Sequence, residues 1–573
     1  APYDTPRALS TTGYNTANNN SVPQNTREPG TLQESYNRMP ATVDGIILGS
    51  GHNSLVLQAY MGRAGLETIC LEKNSDYGGG LTTVEHPVDS GFLHNTHSFY
   101  HRGLNGLPWY RDLELAQQGA QYLQPELNVA LITPAGQTLQ WWNQFDKTVA
   151  SFASFSQRDA ETLQKWRDEF RPILDQILIP ESQAPPLPIE EREASLRRSA
   201  LGRRLLEVSQ LSPLEFVQEH FEHPTVQAGL LFFNGLREVD LRCPGFGHHI
   251  PALLASDTLA QMCRGGSRQL ANSLAADIKQ HGGTIRCDCQ IESILVEGDR
   301  VIGVEVDGGE QIYARNFVAS GLNPQQTFLE LIDPQHVPAS WQQQARDYQY
   351  NLLAPLFSLN LNLTEPPRYR ARQEHPELDE AFMVILGLEH FDQFPEIIRH
   401  HEQGTIPPTV MWGSCPTQFD SSQAPGGNHT AFMWEKLPYA ISGNAQQWDS
   451  IKAAHGKKML DAWDRQAPGL KDQVMDSFTR SPLDIERSLP NMVGGDLLCG
   501  ALAHGQIGPN RPFPGAGHYR GHLGGLYLCG SCCHPGGNIT GLPGYNCAQV
   551  LSADLGMAAS WAPAPLQQRW PTS

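Results

Sequence analysis

The chain has 573 residues, with 41 Lys and Arg against 60 Asp and Glu and a net charge of −19. A chain this acidic is a poor partner for a polyanion, because nucleic-acid binding draws on clustered cations that neutralise phosphates. No apolar run approaches the roughly 20 residues that a membrane-spanning helix needs. Hydrophobic residues at 40% permit a sizeable core, and the length fits several domains or one interleaved fold. Eleven cysteines are too sparse for a disulfide scaffold and odd in number, so reduced thiols and a cytoplasmic location are the default expectation.

Residues 1–42 are rich in Ser, Thr, Asn and Pro, with the Asn18–Ser21 run at their centre, and read as a disordered or draping arm. The body opens at Val43. Gly45–Leu48 has the continuous apolar run of a fully buried parallel strand. A loop of small residues follows, then a helix from about Asn53 to Ala64 closed by Gly65, then a second apolar run from Glu67 to Leu71 that ends on Glu72. This strand-loop-helix-strand unit of about thirty residues is the minimal dinucleotide-binding half of a doubly wound sheet.

The loop Gly49-Ser50-Gly51-His52-Asn53-Ser54 carries the chemistry. The first glycine permits the tight turn and the second lets the backbone approach a pyrophosphate, while the helix N-terminus offers N–H donors and a positive dipole end. Ser54 stands where the fingerprint has a third glycine. Glu72, about twenty residues on, supplies the carboxylate that accepts the adenosine ribose hydroxyls.

A helix-rich stretch runs from about Gln157 to Gly282, and its basic segment Arg192–Arg204 reads as a solvated helix face. Strand patterns return at Thr284–Arg286 and in a hairpin, Val301–Val306 and Gln311–Ala314, joined through Asp307-Gly308-Gly309. Alternation at Leu356–Leu363, Ala381–Leu388, Val410–Gly413 and Thr430–Trp434 predicts a separate, largely antiparallel sheet. Gly525–Cys529 reads as a buried strand and Gly541–Gly556 as a helix. The last residues, with Pro563, Pro565 and Pro571, read as a loose tail.

The expected fold class is α/β: a Rossmann-like dinucleotide-binding domain split along the chain, whose glycine loop alone does not separate NAD from FAD, with an inserted α+β substrate domain built on a largely antiparallel sheet. The expected segments are the arm (1–42), a first cofactor part (43–120), a helix-rich cap (121–260), a second cofactor part (261–330), a substrate domain (331–500), a third cofactor part (501–560) and the tail (561–573).

Two patterns read as decoys. Cys529-Gly530-Ser531-Cys532 has C-x-x-C spacing but ends a strand rather than preceding a helix, so ordinary packing is expected. His94, His97 and His101 have helical-type spacing, with no carboxylate or thiol cluster beside them, and no metal site is expected. His97 follows the paired-glycine loop closely enough to project toward a bound cofactor and is the one candidate catalytic residue.

Several segments together carry a family resemblance: Asp44–Ser54, Glu72-Lys73 followed by Gly78-Gly79-Gly80, Arg111–Leu115, Arg264-Gly265-Gly266, Ala424–Gly427 with Leu437-Pro438-Tyr439, and Gly525–Gln549. In these the chain resembles the phytoene-dehydrogenase-like FAD-dependent oxidoreductases, within the wider group of carotene ketolases, phytoene desaturases and flavin amine oxidases. The resemblance implies FAD as cofactor. It implies that the Gly49–Ser54 loop lines the pyrophosphate, that Glu72 and Lys73 meet the ribose, and that Ile291 pairs its backbone with adenine. It places Gly79, Gly80 and Leu81 near the isoalloxazine, and Gly530 and Ser531 by the ribityl chain and phosphates. Ser531 stands where most relatives have Asp. Asn538, Ile539, Thr540 and Gly541 form the flavin-facing turn, whose following helix can stabilise negative charge on reduced flavin.

The implied activity is removal of a hydride from a C–C or C–N bond of an apolar, isoprenoid-like or aromatic molecule, with oxygen or a quinone as electron acceptor. Trp109, Tyr110, Trp141, Trp142, Phe232, Phe233, His248, His249, Trp412 and Trp434 could line such a pocket. Alternatives are an arylalkylamine oxidase, a non-redox polyene isomerase, and an FAD-retaining scaffold that binds a partner through its arm. A homo-oligomer is compatible with all of these. Peripheral membrane contact would fall to Arg192–Arg204 with Leu201, Leu205 and Leu206.

Overall fold

The computed structural model describes residues 42–234, 239–257, 259–503 and 505–572; the expected arm at 1–41 lies outside them, and Thr42 already belongs to the first strand. Two seven-stranded sheets organise the rest. The first runs in the order Thr284–Arg286, Thr68–Leu71, Thr42–Leu48, Glu310–Ser320, Arg300–Val306, Ile291–Glu297, and Leu526–Leu528 also pairs with Glu310–Ser320. Its centre is parallel: Thr42–Leu48 pairs in that sense with both Thr68–Leu71 and Glu310–Ser320, and Leu526–Leu528 joins likewise. The Asp307-Gly308-Gly309 hairpin adds the antiparallel flank. Strands from three distant stretches of chain therefore share one sheet. Their apolar runs are explained by helices on the faces, His52–Arg63 against Arg268–Gln280 and Leu542–Asp554.

The second sheet runs Val474–Arg480, Leu356–Leu363, His429–Lys436, Met411–Ser414, Met383–Leu386, Leu127–Ile132, Thr138–Trp142. It is antiparallel except where Met383–Leu386 meets Leu127–Ile132. Its last two strands come from the stretch expected to be a helical cap, so 121–260 and 331–500 share one sheet. Both faces are covered. Helix Gln447–Gln466 packs Trp448 and Trp463 against Met411 and Met433 on one side. The helical stretch between Phe145 and Ala255 packs on the other, against Trp412, Phe432 and Trp434.

Three local expectations give way. The C-terminal tail is packed: the Trp561 ring sits 4.1 Å from Tyr60, Leu566 and Trp570 are buried, and the Trp570 indole donates to the Ile177 carbonyl. Pro565 caps the short helix Leu566–Arg569, whose Leu566 is buried. In the basic segment Leu205 is buried and Leu201 and Leu206 pack on the same core, while Arg192 pairs with Glu181 and Arg204 with Glu169. These leucines are therefore turned inward, not toward a lipid surface, while Arg197, Arg198 and Arg203 are exposed, in keeping with the solvated face expected of the segment. His94, His97 and His101 do not share a helix. Leu93–Asn95 and His101–Arg102 are strands, His94 bonds Asn362 and His101 bonds Tyr122.

Among the described residues no helix is long and apolar enough to cross a membrane, and no cluster of His, Cys, Asp and Glu could hold a metal. All eleven cysteines are thiols.

Candidate active site

A continuous cavity of about 390 Å³ runs along the C-terminal edge of the first sheet and onto the face of the second. This is the edge at which open parallel sheets bind their ligands. Of the residues expected to bind cofactor, Gly49, Ser50, Gly51, His52, Asn53, Ser54, Glu72, Lys73, Gly79, Gly80, Ile291, Gly530, Ser531, Asn538, Ile539 and Thr540 line it, and so does His97. Leu81 and Gly541 do not. Leu81 is fully buried behind the paired glycines. Gly541 serves the turn indirectly: its left-handed φ of +64° leaves room for Trp109, which donates to the Thr540 carbonyl at 2.7 Å, where a Cβ would lie 2.5 Å from the indole.

The glycine loop is held from two sides. Glu72 accepts from both the Ser50 N–H (2.9 Å) and the Ser50 hydroxyl (2.7 Å), and its other oxygen accepts from the Asn74 N–H (2.9 Å). Ser50 therefore braces the carboxylate while also lining the cavity. His52 donates from Nε2 to the Asn538 carbonyl (3.1 Å), tying the loop to the C-terminal turn, and burial lowers its pKa to about 4. Asn53 donates to the Ser531 hydroxyl (3.0 Å). Ser54 is buried and packs so closely on Gly321 that a Cβ there would lie 2.1 Å from its hydroxyl, and Gly544 lets the C-terminal helix approach the same turn, where a Cβ would lie 1.9 Å from the Asn53 carbonyl.

These features fit FAD. Gly51 precedes a helix with no side-chain cap and no acidic residue in its first turn, so its N–H groups and dipole are directed at an anion. A Cβ on Gly51 would meet nothing within 4 Å, because the cavity lies there, and Gly79 passes so near that its own Cβ would sit 3.1 Å from the Gly51 Cα. Asn53 Oδ1 is buried without a partner beside this space. Glu72 and Lys73 sit toward Ile291 and Glu330; Gly80, Met492 and Ile539 crowd the middle, a Gly80 Cβ falling 3.5 Å from Met492 and 3.9 Å from Ile539.

At the far end the walls become aromatic. Phe233, Trp412 and Trp434 line the cavity as considered from sequence, joined by Phe99, Tyr100, Arg102 and Lys436. Trp109 and Trp141 are buried elsewhere. His97 lies between the two ends. Its Nδ1 is 3.1 Å from the Thr96 hydroxyl, and the Arg480 guanidinium lies against the ring, Nη1 3.4 Å from both ring nitrogens. Burial, with the adjacent Arg480 charge, holds the imidazole well below its ordinary pKa, so it is neutral near pH 7.

Sequence reasoning passed over Arg480, Met492 and Lys436. Arg480 and Met492 carry no pattern. Lys436 has a legible signal: it follows Trp434 by two in a strand buried along almost its whole length, so it shares that inward face.

Comparison with known proteins agrees with this geometry. The flavin containing amine oxidoreductase family matches residues 63–437. The chain is 28% identical over 543 residues to a subunit of the limonene dehydrogenase of Castellaniella defragrans, covering 90% of this chain and 96% of that one. It is 27% identical over 556 residues to pyridine nucleotide-disulfide oxidoreductase domain-containing protein 2 of Rattus norvegicus, covering 89% and 94%. The structure of putrescine oxidase bound to putrescine superposes with a TM-score of 0.56 at 13% identity, over 90% of this chain and 99% of that one, which establishes the shared fold. The protein belongs to the flavin containing amine oxidoreductase family and is an FAD-dependent oxidoreductase.

Proposed function

We propose that this oxidoreductase removes a hydride from a C–C or C–N bond of a largely apolar organic molecule and passes the electrons to oxygen or a quinone. The observation that carries the reading is the continuity of one cavity from the Glu72-braced glycine loop, past Gly79 and Gly80, into an aromatic chamber beside His97. A relative named for a terpene, the limonene dehydrogenase subunit, supports an apolar substrate.

Bound FAD would supply the two-electron acceptor. The Gly49–Ser54 loop and the uncapped helix end would hold its diphosphate, Glu72 and Lys73 its ribose, and the Asn538–Thr540 turn its redox-active end. Tyr100, Phe233, Trp412 and Trp434 exclude water and orient the substrate's apolar body. Arg480 penalises a second positive charge on His97, so the imidazole acts as a neutral hydrogen-bonding group that positions substrate and does not store a proton.

The test is anaerobic mixing of the flavin-bound protein with a panel of terpenes and polyenes, arylalkylamines and aryl alcohols, following visible absorption. Rapid bleaching by one class, reversed by air, fixes the bond type and identifies oxygen as an acceptor. Bleaching by amines alone, deeper at alkaline pH, would move the substrate to the arylalkylamines. An unbleached flavin with every class would overturn the redox reading in favour of isomerisation or a scaffold.

A further inference from the structure

Behind the Gly530-Ser531 wall of the cavity lies a fully buried arginine. The Arg511 guanidinium donates to four backbone carbonyls: Ala501 (2.8 Å) and Gln506 (3.4 Å) from Nη1, Ser531 (3.1 Å) and Gly500 (3.4 Å) from Nη2. It thereby joins the loop that carries Leu498 and Cys499 to the turn that carries Gly530 and Ser531, all four of which line the cavity. The loop is firmly held. The Asp496 carboxylate accepts from the N–H groups of Asn351 (2.8 Å), Leu498 (2.8 Å) and Gly500 (2.7 Å), and the Tyr348 hydroxyl donates to the Cys499 carbonyl (2.7 Å). Asp496 also feels the Arg511 charge, so this buried node carries both signs and Arg511 serves it as a donor fork.

The consequence falls on the turn from Gly530 to Cys533. The Gly530 carbonyl accepts from the Cys533 N–H (3.0 Å) and the Ser531 carbonyl accepts from Arg511, so both carbonyls are occupied. These peptides are trans, and a trans peptide points its N–H opposite to its carbonyl, so the Ser531 and Cys532 N–H groups are turned the other way. Neither of them, nor the Gly530 N–H, has an acceptor among the described residues. Successive N–H groups left free in a turn form a concavity suited to an anion.

We propose that Arg511 is a positioning residue for the cofactor's diphosphate: by holding the Ser531 carbonyl back, it leaves the N–H groups of Gly530, Ser531 and Cys532 as donors to phosphate oxygens. This rests on the preceding reading that the diphosphate lies at the Gly49–Ser54 loop, to which Asn53 ties the Ser531 hydroxyl.

Competition of ADP and of adenosine with FAD for the flavin-free full-length chain, read by FAD fluorescence, tests this. The wild-type protein is expected to prefer ADP. Arg511→Met is expected to weaken ADP by about tenfold or more, the scale of hydrogen bonds to a charged group, and adenosine by no more than about threefold. Arg511→Lys keeps a donor for the Ser531 carbonyl but loses the fork, and is expected to show a smaller loss confined to ADP. Equal weakening of both ligands in Arg511→Met, which a merely structural role would give, or undiminished ADP binding would overturn the assignment. Should Arg511→Met not fold, the same comparison is read on Arg511→Lys: a loss confined to ADP upholds the assignment, and an equal loss or none overturns it. Wild-type protein that binds ADP no tighter than adenosine would instead defeat the placement of the diphosphate, and the proposal with it.

Discussion

The two sheets meet the cavity with different parts of the chain. At the first, the walls are loops and helix starts at the ends of parallel strands, and the groups offered are backbone N–H donors spaced by glycine, with Glu72 as the fixed carboxylate. At the second, the walls are large side chains projecting from a broad antiparallel face, Trp412, Trp434 and Lys436 among them. A backbone-built site suits a cofactor whose diphosphate never varies; a side-chain-built site can be retuned by single substitutions. The contrast implies that damage to the first end acts on cofactor retention, and damage to the second on substrate.

The most severe way to break the first end is Gly544→Ala. Its Cβ would fall 1.9 Å from the Asn53 carbonyl, a backbone atom that cannot swing aside, so the two helices must separate. The expected outcome is loss of flavin-bound soluble protein, scored by absorbance after purification.

His97→Gln sharpens the boundary between the ends. Turnover is expected to fall by about 100-fold, within the range for a positioned group near the reacting atoms, with flavin content unchanged. Wild-type turnover should show no limb near pH 6.5 from His97, because burial and Arg480 keep it neutral there; Arg480→Met should raise that limb toward view.

Glu72→Ala tests the brace. It strips the acceptor from two Ser50 donors and the Asn74 N–H, and FAD affinity is expected to weaken by about 10- to 100-fold, as for loss of hydrogen bonds to a charged group. Fluorescence titration of the apoprotein with FAD measures it, and substrate specificity should not change. Ser531→Ala, which removes one contact to Asn53, should weaken FAD by no more than a few-fold.

Acid should loosen both ends gradually. Burial lowers His52 and His94 to about 4 and His101 to about 3. The unfolded chain protonates these near pH 6.5 while the folded one does not, so below that pH the unfolded state binds more protons and stability falls. The loss from His52 and His94 is complete near pH 4. Each contributes on the order of 1 kcal/mol per pH unit across that window, measurable by denaturant unfolding at pH 7 and pH 5.

The same contrast explains what was legible in the sequence. The glycine loop, its helix and Glu72 lie within 24 residues and obey spacing rules set by backbone geometry, so they could be read directly. The strand run at Leu526–Leu528 was legible as a buried apolar run, but its return to the first sheet and the flavin role of the turn at Asn538–Thr540 came through resemblance, because nothing local says which sheet a distant strand joins. The second end was largely hidden. Its walls come from Tyr100, Phe233, Trp412 and Lys436, more than 300 residues apart, and an aromatic in a strand looks the same whether it faces a cavity or a core. The packed tail was misread because three prolines outweighed Trp561, Leu566 and Trp570, whose burial partners are distant.

The most direct test is a crystal structure of the FAD-loaded protein. Density for the adenosine beside Glu72 and Ile291, the diphosphate over Gly51, and the isoalloxazine between Gly80, Met492, Ile539 and His97 is the expected result. An isoalloxazine placed at the Glu72 end, or a cofactor lying outside this cavity, would contradict the division of the site into a backbone-built cofactor end and a side-chain-built substrate end.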